Sequence, residues 1–127
     1  MTFLIWTLII AALLPYLAKG PVAYAMNKLG GYDNKHPRSQ QAKLTGIGAR
    51  ALAAHQNAFE SFMIFSAAIL LALTTGHIGE SIQQLATIYL IARVLYNILY
   101  LANIGFLRSV VWFISLGCSL AIMVLCL

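Results

Sequence analysis

Acidic side chains are almost absent from this chain: Asp33, Glu60 and Glu80 are the only three in 127 residues, and all charged residues together make up 9%. Soluble domains carry about a quarter charged residues, so a globule of this composition has too little polar surface to coat itself in water. A soluble fold is excluded. Cysteine is scarce as well. Cys118 and Cys126 lie eight positions apart on one predicted helix, about 12 Å by helical rise, which rules out an intrachain disulfide. His36, His55 and His77 fall in unrelated segments without metal-ligand spacing, so no metal site is expected. Gly46-Ile47-Gly48 holds two glycines of a dinucleotide fingerprint but lacks the third glycine and a preceding strand. Ser61 and His55 fall about 120° apart on a helix, so that serine has no base beside it.

What the chain has instead is apolar length, 61% of all residues. Four hydrophobic stretches approach the roughly 20 residues that cross a ~30 Å hydrocarbon core. They predict helices at about 2–18, 48–75, 82–102 and 106–127, an all-α integral membrane protein built as one four-helix transmembrane bundle. The first run has no basic residue ahead of it and no small-x-small site after it, so it reads as a retained helix rather than a signal peptide. The only polar segment, residues 19–47, reads as a solvated basic loop with a short helix around 24–28. Five of the eight basic residues lie there (Lys19, Lys28, Lys35, Arg38 and Lys43), whereas the turn at 76–81 carries Glu80 and no Lys or Arg. By the positive-inside rule the loop and the 103–105 turn beside Arg108 face the cytoplasm and both termini lie outside, the expected arrangement in a bacterial inner membrane. The loop's cations suit anionic lipid headgroups better than nucleic acid, and no nucleic-acid partner is expected.

A charge in the middle of a membrane helix costs at least about 2.5–3.5 kcal/mol on insertion scales, which makes each such residue a candidate for function. There are two. Glu60 falls about 18 Å from the cytoplasmic end of the second predicted helix and Arg93 about 15 Å from that of the third, so the two are expected to pair. On the third helix Tyr89, Arg93, Tyr96, Asn97 and Tyr100 share one arc of about 100°. On the second, Arg50, Asn57, Ser61 and, more loosely, Glu60 form a similar stripe. Any one of these residues fits an interfacial tyrosine or an interhelical hydrogen bond. Together they describe a polar, basic-rimmed cleft suited to a small anionic ligand that guanidinium groups can grip.

The segment Arg50-Ala-Leu-Ala-Ala-His55-Gln-Asn57-Ala-Phe-Glu60 resembles the second-helix signature of the MAPEG family, the membrane-associated proteins of eicosanoid and glutathione metabolism. Arg93-x-x-Tyr96-x-x-x-Tyr100 and Arg108-Ser109 are similar to that family's third- and fourth-helix motifs, and the likeness is to bacterial-type members resembling microsomal glutathione transferases. The resemblance implies a homotrimer that binds glutathione as co-substrate between subunits. Arg50, Asn57, Glu60, Arg93, Tyr96 and Tyr100 would hold the tripeptide, with Glu60 on its amino group, and Arg108 and Ser109 would stabilise its thiolate. Arg108 lies in the first turn of a predicted helix, where guanidinium and helix dipole both favour an anion, and a thiol of pKa ~8.5 drops toward neutrality in such surroundings.

Tyr96 stands where many members carry His, and Ala53 and Gln56 stand where eicosanoid-synthesising members carry arginines, which argues against a dedicated eicosanoid synthase. The implied function is a glutathione-dependent transferase or peroxidase, a detoxifying activity on apolar electrophiles drawn from the bilayer. Two other readings stand beside it: a small four-helix transporter with Glu60 as its proton site, and a non-catalytic scaffold of the same fold.

Overall fold

Apolar runs of about 20 residues become long helices here, Pro15 within the first of them included. In the computed structural model, which describes residues 1–127, the order is α1 (Thr2–Leu17), α2 (Lys19–Asn27), α3 (Pro37–Gln41), α4 (Gly46–Thr75), α5 (Glu80–Leu101) and α6 (Gly105–Val124). Four stretches are long and apolar enough to cross a membrane: Thr2–Asn27, Gly46–Thr75, Glu80–Leu101 and Gly105–Val124. The protein is therefore all-helical, membrane-integral and multi-pass.

The first span corrects the expectation of a loop beginning at residue 19. Ala18 stays right-handed helical (φ −64°, ψ −18°), and α2 continues from Lys19 to Asn27. Lys19-Gly20-Pro21 has the composition of a loop. Pro21, however, falls in the first turn of α2, where its fixed φ suits a helix and only the one bond to the Leu17 carbonyl is forgone. Basic sequence thus enters the span, and the polar connection shrinks to residues 28–45. That connection is ordered by two side chains. Buried Gln40 donates from Nε2 to the carbonyls of Met26 (3.2 Å) and Gly31 (2.7 Å) and accepts the Asp33 amide at Oε1 (2.9 Å). Asp33 Oδ1 in turn accepts the amides of Lys35 and His36. The other helix ends shift by a few residues from their predicted places.

α4 is the centre of the bundle, packing against α1, α2, α5 and α6. Its buried face is mostly small: Gly48, Ala51, Ala54, Ala58, Ala68 and Ala72 recur every three or four residues, with Phe65 and Ile69 among them. Lipid tails are as apolar as leucine, so helices in a bilayer gain by approaching closely, and small residues permit that. Large apolar side chains such as Trp6, Leu13, Met63, Phe106 and Phe113 point outward instead. Deeper in the core the Phe65 and Tyr89 rings stack at 3.8 Å, joining α4 to α5. α1 is tied to α4 by His55, whose Nδ1–H donates to the carbonyl of Pro15 (2.7 Å).

The tightest approach is at Gly48, where an added Cβ would sit 3.0 Å from Ala25 Cβ and 3.1 Å from Leu44 Cδ2. Gly48→Val is expected to force α2 and the loop off α4 and to destabilise by about 1–3 kcal/mol. A lowered unfolding temperature of the detergent-solubilised protein checks this.

Candidate functional site

Arg93 is the one charged side chain in the core, 3% exposed. A guanidinium at that depth needs acceptors on every side, and three helices supply them. Its Nη2 donates to Asn57 Oδ1 on α4 (2.8 Å), its Nη1 donates more weakly to Ser115 Oγ on α6 (3.5 Å), and its Cζ lies 4.2 Å from the centre of the Tyr96 ring one turn along α5. The expected pairing of Arg93 with Glu60 is not formed. No Lys or Arg lies within ion-pair distance of an acid, the one His–carboxylate contact being His36 Nδ1 to Asp33 at 4.0 Å in the loop, and Glu60 is exposed on the bundle surface. Asn57, one turn before Glu60, takes the guanidinium instead. A neutral amide gives a charge-assisted hydrogen bond without the desolvation of a second ion.

Beside this cluster a cavity of about 110 Å³ opens between α4 and α6, lined on one wall by Asn57, Glu60 and Ser61 and on the other by Trp112, Ser115 and Ser119. Ser115 donates to the Trp112 carbonyl (2.9 Å) and Ser119 to the Ser115 carbonyl (3.4 Å). Both hydroxyl hydrogens are thereby engaged within the helix. Sequence reasoning missed the α6 wall. The signal was the spacing of 112, 115 and 119, which brings an indole and two hydroxyls to one helix face.

The third-helix stripe divides. Tyr96 and Tyr100 meet edge to face at 5.6 Å, and the Arg108 guanidinium lies 4.3 Å from the Tyr100 ring centre. Arg93, Tyr96, Tyr100 and Arg108 thus form one ladder, two cations with two aromatic rings between them, running from the bundle interior to the start of α6. Tyr89 leaves the stripe: it is buried on Phe65 and its hydroxyl shares a hydrogen bond with Ser61 (3.0 Å). Asn97 leaves it on the other side and lines an apolar groove with Leu14, Leu17 and Val94.

The α5–α6 turn fixes the outer end of the ladder. Asn103 adopts a left-handed conformation (φ 61°), its amide bonds to the Tyr100 carbonyl (3.1 Å), and the Ile104 amide bonds to that of Leu99 (2.9 Å). This is the Schellman pattern of helix termination, and Asn is among the few residues other than glycine that accept its φ. Arg50 does not join the cluster around Arg93. It reaches the next free carbonyl, that of Leu101 (3.4 Å), and its buried Nε has no partner. Arg50 therefore clamps the turn that carries Arg108. Arg108 is the fourth residue of α6. Ser109, exposed, donates its hydroxyl to the Gly105 carbonyl (3.2 Å).

With this geometry in place, comparison with protein families is decisive: the MAPEG family model matches residues 3–127, nearly the whole chain. The chain belongs to the MAPEG family. Comparison with curated proteins and with solved structures returns no match. In this MAPEG protein the second-helix motif divides its labour. His55 holds α1, Asn57 holds Arg93, and only Glu60 is left with its carboxylate free of protein partners.

Asn57 and Asn97 therefore differ in weight. Asn57→Ala removes the best acceptor of a buried cation and is expected to cost about 1.5–3 kcal/mol, whereas Asn97→Ala stays within about 0.5 kcal/mol. Equilibrium unfolding of the two variants in mixed micelles separates them.

Proposed function

We propose that this protein binds glutathione at the Arg93–Arg108 ladder and activates its thiolate for attack on apolar electrophiles, as a transferase or peroxidase. The observation that carries the reading is the ladder itself, an aromatic wall with a cation at each end and a free carboxylate nearby. Glutathione bears two carboxylates, one ammonium group and a thiol, and the residues present match each kind of group. Glu60 receives the ammonium. Tyr96 and Tyr100 supply flat walls and phenolic hydroxyls, and Arg93, already bonded to Asn57 and Ser115, contributes charge from behind them. Arg108, near the N-terminus of α6, holds the thiolate beside the positive end of a helix dipole, with Ser109 next to it on the same turn. The thiolate is the nucleophile, so stabilising it at neutral pH is much of the catalysis.

A second copy of the chain is part of this proposal. Pockets for drug-sized ligands run from about 300 to 1,000 Å³, and the cavity beside Glu60 is about 110 Å³. One chain encloses too little space for a tripeptide, and Glu60 lies exposed on a membrane span, where an unpaired carboxylate is costly. A homotrimer that closes the site between subunits answers both. The cations of residues 19–43 favour the orientation with loop and site at the cytoplasmic face.

Titrating the solubilised protein with glutathione is expected to raise a thiolate absorbance band and to support conjugation of a generic electrophile. Arg108→Ala is expected to lower turnover roughly a hundredfold or more while glutathione binding and assembly persist. Absence of binding at millimolar glutathione sinks the reading, and binding without turnover in the unaltered protein leaves a scaffold.

One observation favours a second reading. Glu60 is free of Arg93, and a lone membrane carboxylate is also how small antiporters carry a proton. Proton-coupled uptake in proteoliposomes that is abolished by Glu60→Gln would establish that reading, and uptake unaffected by the variant dismisses it.

A further inference from the structure

A groove of about 250 Å³ runs along the outer flank of the bundle, between the joint of α1 with α2 and the last two turns of α5. Leu17, Ala18 and Pro21 line one side of it, and Val94, Asn97 and Ile98 the other. Those three α5 residues are centred roughly 120° around the helix from Arg93, Tyr96 and Tyr100 at 100° per residue, so the groove lies apart from the ladder. Leu17, Val94 and Ile98 are exposed, and the groove opens between them. Asn97 is its only polar side chain, half-buried and without a hydrogen-bond partner in the chain. A free amide in a membrane span is costly, because hydrocarbon offers it neither donor nor acceptor. A second polar group comes from the backbone. Pro21 has no N–H to give to the Leu17 carbonyl one turn before it, so that carbonyl keeps an open acceptor position between two residues of the groove wall.

These two groups identify the class of ligand. Asn97 lies four residues, about 6 Å, inside the end of α5, where a lipid's polar part gives way to its chains. The Leu17 carbonyl needs a donor, and the ester oxygens of an ordinary phospholipid only accept. No charged side chain lines the groove to hold a charged headgroup; Lys19 borders a different cavity, against α4. A hydroxyl donates and accepts without carrying charge. The volume falls below the range of about 300–1,000 Å³ for drug-sized pockets, which leaves room for one chain rather than two. We propose that the groove binds an uncharged single-chain amphiphile with a hydroxyl headgroup, of the monoacylglycerol kind. Its hydroxyls donate to the Leu17 carbonyl and accept from Asn97 Nδ2, and its chain lies against Val94 and Ile98. The site is independent of the thiol chemistry proposed above.

The test uses the full chain in detergent, with retention of 1-oleoylglycerol and of methyl oleate read by native mass spectrometry. The two share one acyl chain, but only the first carries hydroxyls. Oleoylglycerol is expected to be retained about tenfold more strongly. Asn97→Leu is expected to remove most of that preference, and Pro21→Ala, which supplies an amide to the Leu17 carbonyl, to lower it about fivefold without loss of stability. Val94→Trp fills the groove and is expected to abolish retention of both probes, whereas Leu95→Trp, on the same helix but outside the groove, is expected to leave retention within about threefold. Equal retention of the two probes by the unaltered protein overturns the proposal in favour of unselective filling by apolar chains. A preference unchanged in both Asn97→Leu and Pro21→Ala overturns it too, as does equal loss in the two tryptophan variants. Dissociation of an oligomer in Val94→Trp with retention unchanged overturns it in favour of a seat for a neighbouring copy.

Discussion

A guanidinium carried into the middle of a membrane bundle cannot be neutralised by losing its proton, since arginine stays charged under all ordinary conditions. It must be given acceptors, and Arg93 takes them from three helices at once: Asn57 on α4, Ser115 on α6 and the face of Tyr96 on its own helix. Few other interactions in the core are as directional. The rest of α4 meets its neighbours through alanine and glycine, whose contacts set distance but little rotation. The rotation of α4 and α6 about α5 is held by the fork of Arg93, and with it the wall of the cavity and the direction in which Glu60 points.

The aromatic rings carry that constraint outward. Tyr96 is held from behind by Arg93, and Tyr100 rests edge-on against Tyr96 and under Arg108. The Schellman turn at Asn103, clamped by Arg50 on the Leu101 carbonyl, fixes where α6 begins. Arg108 is thus located by its own helix start and by its ring contact at once. A side chain so held loses little further freedom on meeting an anion, which is the sense in which a site is pre-organised.

Much of this was legible in the sequence, and the failures have specific causes. The number of spans follows from hydropathy, and the depths of Glu60 and Arg93 follow from helical rise. Their pairing did not follow, because equal depth says nothing of azimuth, and Asn57 and Glu60 differ by most of a quarter turn. Helical phase put Tyr89 and Asn97 on one arc with Arg93, yet an arc of about 100° is wide enough to touch three neighbours. Tyr89 went to the core and Asn97 to the groove beside α1. Ser115 and Ser119 were overlooked because a serine in a membrane helix usually bonds its own backbone, as both do here. Lys19-Gly20-Pro21 misled for a different reason: its composition marks a break in isolation, but a helix already propagating continues at little cost where the proline falls in a first turn.

The two cavities of α4 make contrasting demands on what surrounds the chain. The ladder side ends in a carboxylate exposed on a membrane span, together with a cavity smaller than any tripeptide. Hydrocarbon cannot satisfy Glu60, so that face calls for protein or a bound polar ligand. Across α4 the chain carries Tyr16 and Leu17, both exposed, and a polar cavity of about 470 Å³ that takes in Lys19 and Arg38. One helix therefore separates a face that presents an unpaired carboxylate from one that presents unpaired cations. The small-residue seam of α4 lets α1 and α2 lie close against it, which brings Lys19 to the second of these faces.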